Sequence, residues 1–140
     1  MAEISQNTDA LIKHMQNAKN IAVVGLSADP SKASYQVASY LQNSGYHIIP
    51  VNPGLKGPVL GETPYPNLQS IPAGIKIDII DVFRRPADVP AVVEQAKLRP
   101  APLFWMQLGI SNPDSARQLV DAGFDVVQNR CLKVEHARLL

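Results

Sequence analysis

Four basic side chains, Lys32, Lys56, Arg84 and Arg85, follow apolar runs of the chain and could together hold a ligand with several phosphates. They do not reflect a basic composition, because 13 Lys and Arg stand against 12 Asp and Glu and the net charge is +1. Such a balance creates no broad field that would attract nucleic acid or an acidic membrane. An anion site must therefore come from local clustering. The alternative is that these cations are solvated loop ends.

Five short apolar runs can position these groups, and most are nearly continuous in hydrophobicity and β-branched, which is typical of strands covered on both faces. They span residues 21–24, 47–51, 77–83, 103–106 and 124–127. Helical patterns separate or flank them, over residues 8–18, 34–44, 88–96, 112–123 and 132–139. Asp88 is expected to cap the third of these helices and Asn112 the fourth. This alternation predicts an α/β fold, Rossmann-like and doubly wound, with a five-stranded mainly parallel sheet and helices on both faces.

The segment 53–74 interrupts the alternation because it is rich in Pro and Gly. We interpret it as an ordered loop with a short helix near residues 67–71, since the material on each side is too small for a separate core. Residues 1–140 are therefore expected to form one domain, on which residues 1–20 pack as an N-terminal helix.

Ligands of open parallel sheets bind at the carboxyl ends of the strands, near the point where the strand order reverses. After the first predicted strand, Gly25 permits close approach of the backbone, and Ser27 and Ser34 offer hydroxyl groups before a helix N-terminus that favours phosphate. An NAD site would show three spaced glycines and an acid after the second strand. Here only Gly25 is present and Asn52 ends the second strand, which argues against NAD. Lys56 would suit a phosphate near the adenosine ribose, which both NADP and coenzyme A (CoA) carry.

Six short blocks of this sequence, in order, resemble those of the small stand-alone CoA-binding protein family. They are Val24-Gly25-Leu26-Ser27, Ser34-Tyr35-Gln36-Val37-Ala38, Pro50-Val51-Asn52-Pro53, Asp81-Val82-Phe83-Arg84-Arg85-Pro86, Trp105-Met106-Gln107-Leu108-Gly109 and Asn129-Arg130-Cys131. The resemblance runs over residues 21–139. The family is similar to the CoA-binding domain of the succinyl-CoA synthetase α subunit and of NDP-forming acyl-CoA synthetases.

The resemblance implies that CoA or acyl-CoA lies along the strand ends. Around the phosphates it places Gly25, Ser27, Lys32, Ser34 and Tyr35, and the expected contact residues also include Leu26 and Pro30. Beside the adenosine 3′-phosphate it places Asn52, Pro53 and Lys56. The adenine and pyrophosphate side would be lined by Phe83, Arg84, Arg85 and Pro86, and the pantetheine would pass Gln107 and Gly109. Asn129 stands where the family usually has an acid.

No complete catalytic set is evident, so a non-catalytic CoA-binding protein is expected. The synthetases of the resemblance use a phosphorylated histidine from a second domain and a nucleotide-binding partner. The histidines here are interpreted as structural or surface groups, and none has metal-ligand spacing with another. Cys131 has two interpretations, a thiol that pairs with that of CoA or a small buried apolar residue. Asp78 and Asp81 are expected to be paired or solvated, and Trp105 is expected in the core.

Other function classes stay open at this point. An NADP-linked reductase, or a subunit of an acyl-CoA ligase that needs a partner for catalysis, would be an enzyme. A phosphoryl-receiver domain is disfavoured because the acid pair and the phosphoacceptor aspartate are missing. One cysteine cannot form an internal disulfide, and no apolar stretch suits a signal peptide or a membrane span, so a cytoplasmic location is expected. Apolar surface on the terminal helices suggests a possible homodimer or protein partner.

Overall fold

The structure is a computed structural model that describes residues 1–140, and it contains one five-stranded sheet in the order β2-β1-β3-β4-β5. The strands are β1 (Asn20–Val24), β2 (His47–Val51), β3 (Ile79–Val82), β4 (Leu103–Met106) and β5 (Asp125–Val127). The helices are α1 (Thr8–Asn17), α2 (Ala33–Asn43), α3 (Val89–Leu98), α4 (Pro113–Asp121) and α5 (Leu132–Leu139). All neighbouring strands are parallel. The predicted Rossmann-like α/β fold is confirmed.

Both faces of the sheet are buried, which explains the continuous apolar runs. In β1, Ile21 and Val23 enter the core cluster shared with α1, α2 and α5, while Ala22 and Val24 enter the one shared with α3 and α4. Side chains alternate along a strand, so both sets of positions must be apolar. The chain leaves β1 towards β2 on one side and returns to β3 on the other. The strand order therefore reverses between β1 and β3.

The third and fifth strands are shorter than the sequence predicts. Strand β3 begins at Ile79 because Asp78, just before it, directs its carboxylate at the backbone N–H groups of Lys19 and Asn20, both at 2.9 Å. At the other end the Phe83 N–H still donates to the Val24 carbonyl at 2.8 Å, although Phe83 lies beyond the strand.

Two helix starts contrast in how they are capped. Asn112 accepts the Ser115 N–H at 3.0 Å with its side chain, which confirms the predicted N-cap of α4. Asp88 makes no such bond at the start of α3, so the capping expected there is wrong. Its carboxylate instead accepts from Nε of Arg85 at 3.0 Å, within a short 3-10 turn that precedes α3.

Two segments outside the regular elements are held by long-range hydrogen bonds. The N-terminal residues add a short parallel bridge to the free edge of β5, where the Ile4 N–H donates to the Val126 carbonyl at 2.7 Å. The Pro- and Gly-rich loop is ordered, as expected, because the Arg99 guanidinium donates to the carbonyl groups of Ile71, Pro72 and Ile75. None of the helices is both long and apolar enough to cross a membrane.

Candidate functional site

The carboxyl ends of β1 and β3 approach each other closely at the point where the strand order reverses. Gly25 has a φ of +87° and donates its N–H to the Val51 carbonyl at 2.8 Å. A Cβ at this position would lie 2.2 Å from the carbonyl oxygen of Phe83. Only glycine fits, because the conformation is left-handed and the neighbouring backbone leaves no room. Gly25 and Phe83 thus lie side by side at the switch point. We call the surface formed there by the loops after β1, β2 and β3 the crevice.

The loop that follows Gly25 is ordered by its own side chains. Ser34 accepts the Ser27 N–H at 3.0 Å, and Ser27 in turn accepts the Asp29 N–H at 3.0 Å. Asp29 accepts both the N–H and the hydroxyl of Ser31. These two bonds hold the pKa of the Asp29 carboxyl below its ordinary value. The loop therefore needs no ligand to define its path into α2.

Helix α2 begins without a cap. Lys32 occupies the N-cap position and makes no capping bond, and the backbone N–H groups of Ala33, Ser34 and Tyr35 donate to no atom of the chain. Free N–H groups at a helix N-terminus, reinforced by the helix dipole, are a ready anion site. The Lys32 side chain is exposed beside them and forms no ion pair with an acidic residue.

Asn52, directly after β2, connects three loops of the crevice. Its Nδ2 donates to the Leu26 carbonyl at 3.1 Å, and its Oδ1 accepts the Gly54 N–H at 3.0 Å and Nη2 of Arg84 at 3.5 Å. Arg84 is half-buried and is thereby turned towards the ends of β1 and β2. The loops after β1, β2 and β3 consequently share one hydrogen-bonded junction.

Two concavities include residues of the predicted site in their lining. A cavity of about 230 Å³ lies on the α3 side and includes Pro53, Arg84, Asp88 and Gln95 in its lining. A more open one of about 390 Å³ runs along α2 and is lined in part by Pro30, Tyr35 and Lys133. Pro53 and Arg84 of the predicted site therefore line the first concavity, and Pro30 and Tyr35 line the second.

The remaining basic residues differ in their pairing. Arg85 is exposed, with 85% of its side chain accessible, and its Nε contacts Asp88 at 3.0 Å. Lys56 is exposed and has no acidic partner. Pro86 starts the 3-10 turn before α3, and its carbonyl accepts Nδ2 of Asn112 at 3.1 Å. Arg85 and Pro86 therefore lie at the start of α3, whereas Leu55, next to Lys56, packs against the core cluster shared with α1, α2 and α5.

Gln107 and Gly109 lie in the loop after β4 and join it to the loop after β5. Oε1 of Gln107 accepts the Leu132 N–H at 2.9 Å, and this side chain is buried. Gly109 donates its N–H to Oδ1 of Asn129 at 2.7 Å. Asn129 has a φ of +58°, a left-handed conformation that asparagine tolerates better than most residues. Its amide thus closes the two loops, a role that the sequence did not reveal.

Asp81 corrects one expectation from the sequence. It is neither paired nor solvated: it is fully buried in β3, and neither carboxylate oxygen has a hydrogen-bond partner. This burial raises the pKa of the Asp81 carboxyl well above its ordinary value. Asp78 is paired as expected. The alternation of acids with apolar residues gave no signal that would distinguish the two.

The histidines make structural contacts. His14 lies 2.8 Å from Asp125, His47 contacts Asn20 and Glu62, and His136 contacts the Tyr40 hydroxyl at 2.9 Å. Burial lowers the pKa of His136. No group of three or more His, Cys, Asp or Glu side chains could hold a metal ion.

The largest concavity, about 480 Å³, lies at the opposite edge of the sheet, among the amino ends of β3, β4 and β5. Its two carboxylates already have partners, since Asp78 accepts two backbone N–H groups and Asp125 contacts His14. Partial burial opposes ionisation of Asp125, but the bonds from His14 and Ala2 outweigh it and lower its pKa. The free N–H groups and the helix dipole at the start of α2 favour an anion at the edge formed by the strand carboxyl ends.

Comparisons with known proteins identify relatives along nearly the whole chain. A family model described as "CoA binding domain" matches residues 19–137. The uncharacterized protein YneT of Bacillus subtilis is 41% identical over 123 residues, covering 88% of this chain and 89% of its own. A Thermus thermophilus protein of solved structure superposes with a TM-score of 0.92 at 37% identity, covering 96% of this chain and 100% of its own. The dinucleotide-forming acetyl-coenzyme A synthetase 1 of Ca. Korarchaeum cryptofilum shares the fold, with a TM-score of 0.70 at 23% identity over 82% of this chain and 26% of its own.

Proposed function

The chain belongs to the CoA binding domain family, and we propose that it binds CoA or acyl-CoA without catalysing a reaction of its own. The observation that carries this proposal is the uncapped N-terminus of α2. Three backbone N–H groups, of Ala33, Ser34 and Tyr35, are free there, and Lys32 is unpaired beside them. A phosphate would accept from these donors and gain from the helix dipole.

In this arrangement the pyrophosphate lies over Gly25 and the start of α2. The adenosine extends over the ends of β1 and β2, where Asn52 holds Arg84 towards the cavity that contains Pro53. Lys56 is exposed on the loop after β2, which also carries Pro53, and it would pair with the 3′-phosphate. The pantetheine then passes Phe83 towards the loops after β4 and β5. Gln107 would act there through the loops that it holds, since its own side chain is buried.

Binding without catalysis agrees with the hydrogen-bond partners of the histidines and with the burial of Asp81. All three histidines have structural partners, and Asp81 is buried away from the crevice surface. A general base must be within hydrogen-bond reach of the proton that it takes. We propose further that residues 1–140 act as one domain, that the protein is cytoplasmic, and that association with a second copy would use the exposed Val134 of α5 and Leu140, which follows that helix.

Isothermal titration calorimetry with CoA, dephospho-CoA, acetyl-CoA, NADP and ATP tests this proposal. We expect CoA species to bind, and we expect Lys32→Ala and Arg84→Ala each to weaken the binding about tenfold, which is about 1.4 kcal/mol. The matched control is Arg117→Ala, because Arg117 is exposed on α4 and pairs only with Asp114. It should leave the affinity unchanged.

The set of ligands separates the competing functions. Dephospho-CoA lacks the 3′-phosphate, so the wild-type chain should bind it more weakly than CoA. If Lys56→Ala weakens the binding of CoA but not that of dephospho-CoA, Lys56 contacts the 3′-phosphate. A preference between CoA and acetyl-CoA would show that the site senses the acyl group. Tighter binding of NADP than of CoA would contradict the proposal and favour a reductase, and equal weakening by Arg117→Ala would show that the site lies elsewhere.

A further inference from the structure

The buried side-chain amide of Gln107 bonds to the backbone next to Cys131 and lacks a full set of hydrogen-bond partners. Gln107 is 3% exposed, and its Oε1 accepts the N–H of Leu132, the residue that follows Cys131, at 2.9 Å. Its Nε2 donates to nothing, although a buried amide donor normally has an acceptor. The side chain therefore reaches the first turn of α5, and its Nε2 is a buried donor without an acceptor.

Asp81 lies on the same face of the sheet as this amide. It pairs in register with Trp105, whose indole enters the core cluster shared with α1, α2 and α5. Gln107 continues the ladder beyond β4, with its N–H 3.3 Å from the Val82 carbonyl, and residues two apart share a face. Asp81 and Gln107 thus share one face of the sheet, and both carry buried polar atoms without a partner.

The position of Cys131 is fixed by its neighbours. The indole N–H of Trp105 donates to the Arg130 carbonyl at 2.7 Å, and the Asn129 N–H donates to the Ile110 carbonyl at 3.0 Å. Cys131 occupies the N-cap of α5 and is half-buried against the same core cluster as Phe83. Phe83 also lies next to Gly25 in the crevice at the switch point. Lys133, two residues after Cys131, lines one concavity together with Pro30 and Tyr35, so the start of α5 lies beside the start of α2, where the proposed function places the phosphates.

We propose that Cys131 captures the thiol end of CoA as a mixed disulfide, by exchange with CoA disulfide. The inference rests on the proposed CoA site. The Cys131 thiol gives its proton to solvent, and its sulfur attacks one sulfur of CoA disulfide. The bond between the two CoA sulfurs breaks, a bond between Cys131 and one CoA forms, and the other CoA leaves as a thiolate that takes up a proton. One disulfide replaces another, so no outside oxidant is needed.

The bound phosphates supply the selectivity of this exchange. A disulfide held at the α2 N-terminus meets Cys131 at an effective concentration in the millimolar range or above, whereas an unbound disulfide meets it only at its bulk concentration. The Nε2 donor of Gln107 is buried, so this side chain acts on the exchange through the first turn of α5 that it holds. Oxidised glutathione has no phosphates, so it is the control disulfide that the phosphate site should not bind.

Intact-mass spectrometry of the whole chain tests the proposal, with CoA disulfide and oxidised glutathione each at micromolar concentration. We expect an added mass of one CoA less two hydrogens, one from each thiol, that dithiothreitol removes and that Cys131→Ser abolishes. The reaction with CoA disulfide should be at least about tenfold faster than that with oxidised glutathione. Lys32→Ala should slow the first reaction and leave the second unchanged, which separates phosphate recognition from a general loss of thiol reactivity.

Calorimetry on the same preparations keeps the two proposals distinguishable. If the wild-type chain and Cys131→Ser both bind CoA but no adduct forms, or if the two disulfides react at equal rates, the thiol proposal is overturned and the CoA site stands. If neither chain binds CoA and no adduct forms, both proposals fail. An adduct on Cys131 that forms independently of Lys32 also overturns the thiol proposal.

Discussion

Replacement of Gly25 by alanine probes the narrowest point of the crevice. Alanine in a left-handed conformation costs about 1–2 kcal/mol. The added Cβ would lie 2.2 Å from the Phe83 carbonyl oxygen, and since ordinary contact begins near 3.4 Å the two atoms must separate by about 1 Å. The N–H groups of Gly25 and Phe83 both bond across these strand ends at 2.8 Å. Loss of one such bond adds about 1–1.5 kcal/mol, so the expected loss of unfolding free energy is about 2–4 kcal/mol.

Urea denaturation followed by circular dichroism measures this loss, and Gly109→Ala is the matched control. Gly109 also has a positive φ, of +84°, but its Cβ would meet no atom within 4 Å. Gly109→Ala should therefore lower the free energy of unfolding only by the cost of the left-handed conformation, about 1–2 kcal/mol. Gly25→Ala should also weaken CoA binding, because Phe83 must move. If the two variants lose the same stability, the close approach of β1 and β3 has no energetic consequence and the reasoning is refuted.

Two further predictions concern stability. The folded pKa of Asp81 is raised by burial, so the folded state holds its proton at pH values where the unfolded chain releases it, and stability falls as pH rises above about 3.8. Urea denaturation from about pH 4 to 8 should show Asp81→Asn gaining on the wild type by up to about 1.4 kcal/mol per pH unit within that window, and parallel curves would contradict the burial argument. Arg99→Ala should lose about 2–3 kcal/mol, because its guanidinium donates to three loop carbonyls. Limited proteolysis should then cut within residues 53–74, and unchanged resistance would show that Arg99 does not hold the loop.

The strands and helices could be predicted because their signals are local. A strand buried on both faces must be apolar at every position, as in β1, and Asn112 followed by Pro113 marks a helix start in the sequence itself. The basic residues at the strand ends were found in the same way, since parallel strands bring their carboxyl ends to one edge. Strand and helix order therefore carried most of the fold and the location of the candidate site.

What the sequence did not reveal depends on partners far apart in the chain. Asn129 bonds to Gly109, and Gln107 bonds to Leu132, across 20 and 25 residues. The bridge between the N-terminal segment and β5 spans more than 120 residues. Nothing in a local pattern states which distant backbone group a polar side chain will meet. For the same reason the isolation of Asp81 could not be told from the pairing of Asp78.

The central claim is that CoA binds with its phosphates at the free N-terminus of α2. The most direct test is a titration of the ¹⁵N-labelled chain with CoA, followed by amide chemical shifts. The account predicts the largest changes at the N–H groups of Gly25, Ala33, Ser34 and Tyr35, with none at Arg117 on α4. Changes confined to the opposite edge of the sheet, around His14 and Asp125, or no changes at saturating CoA, would contradict it.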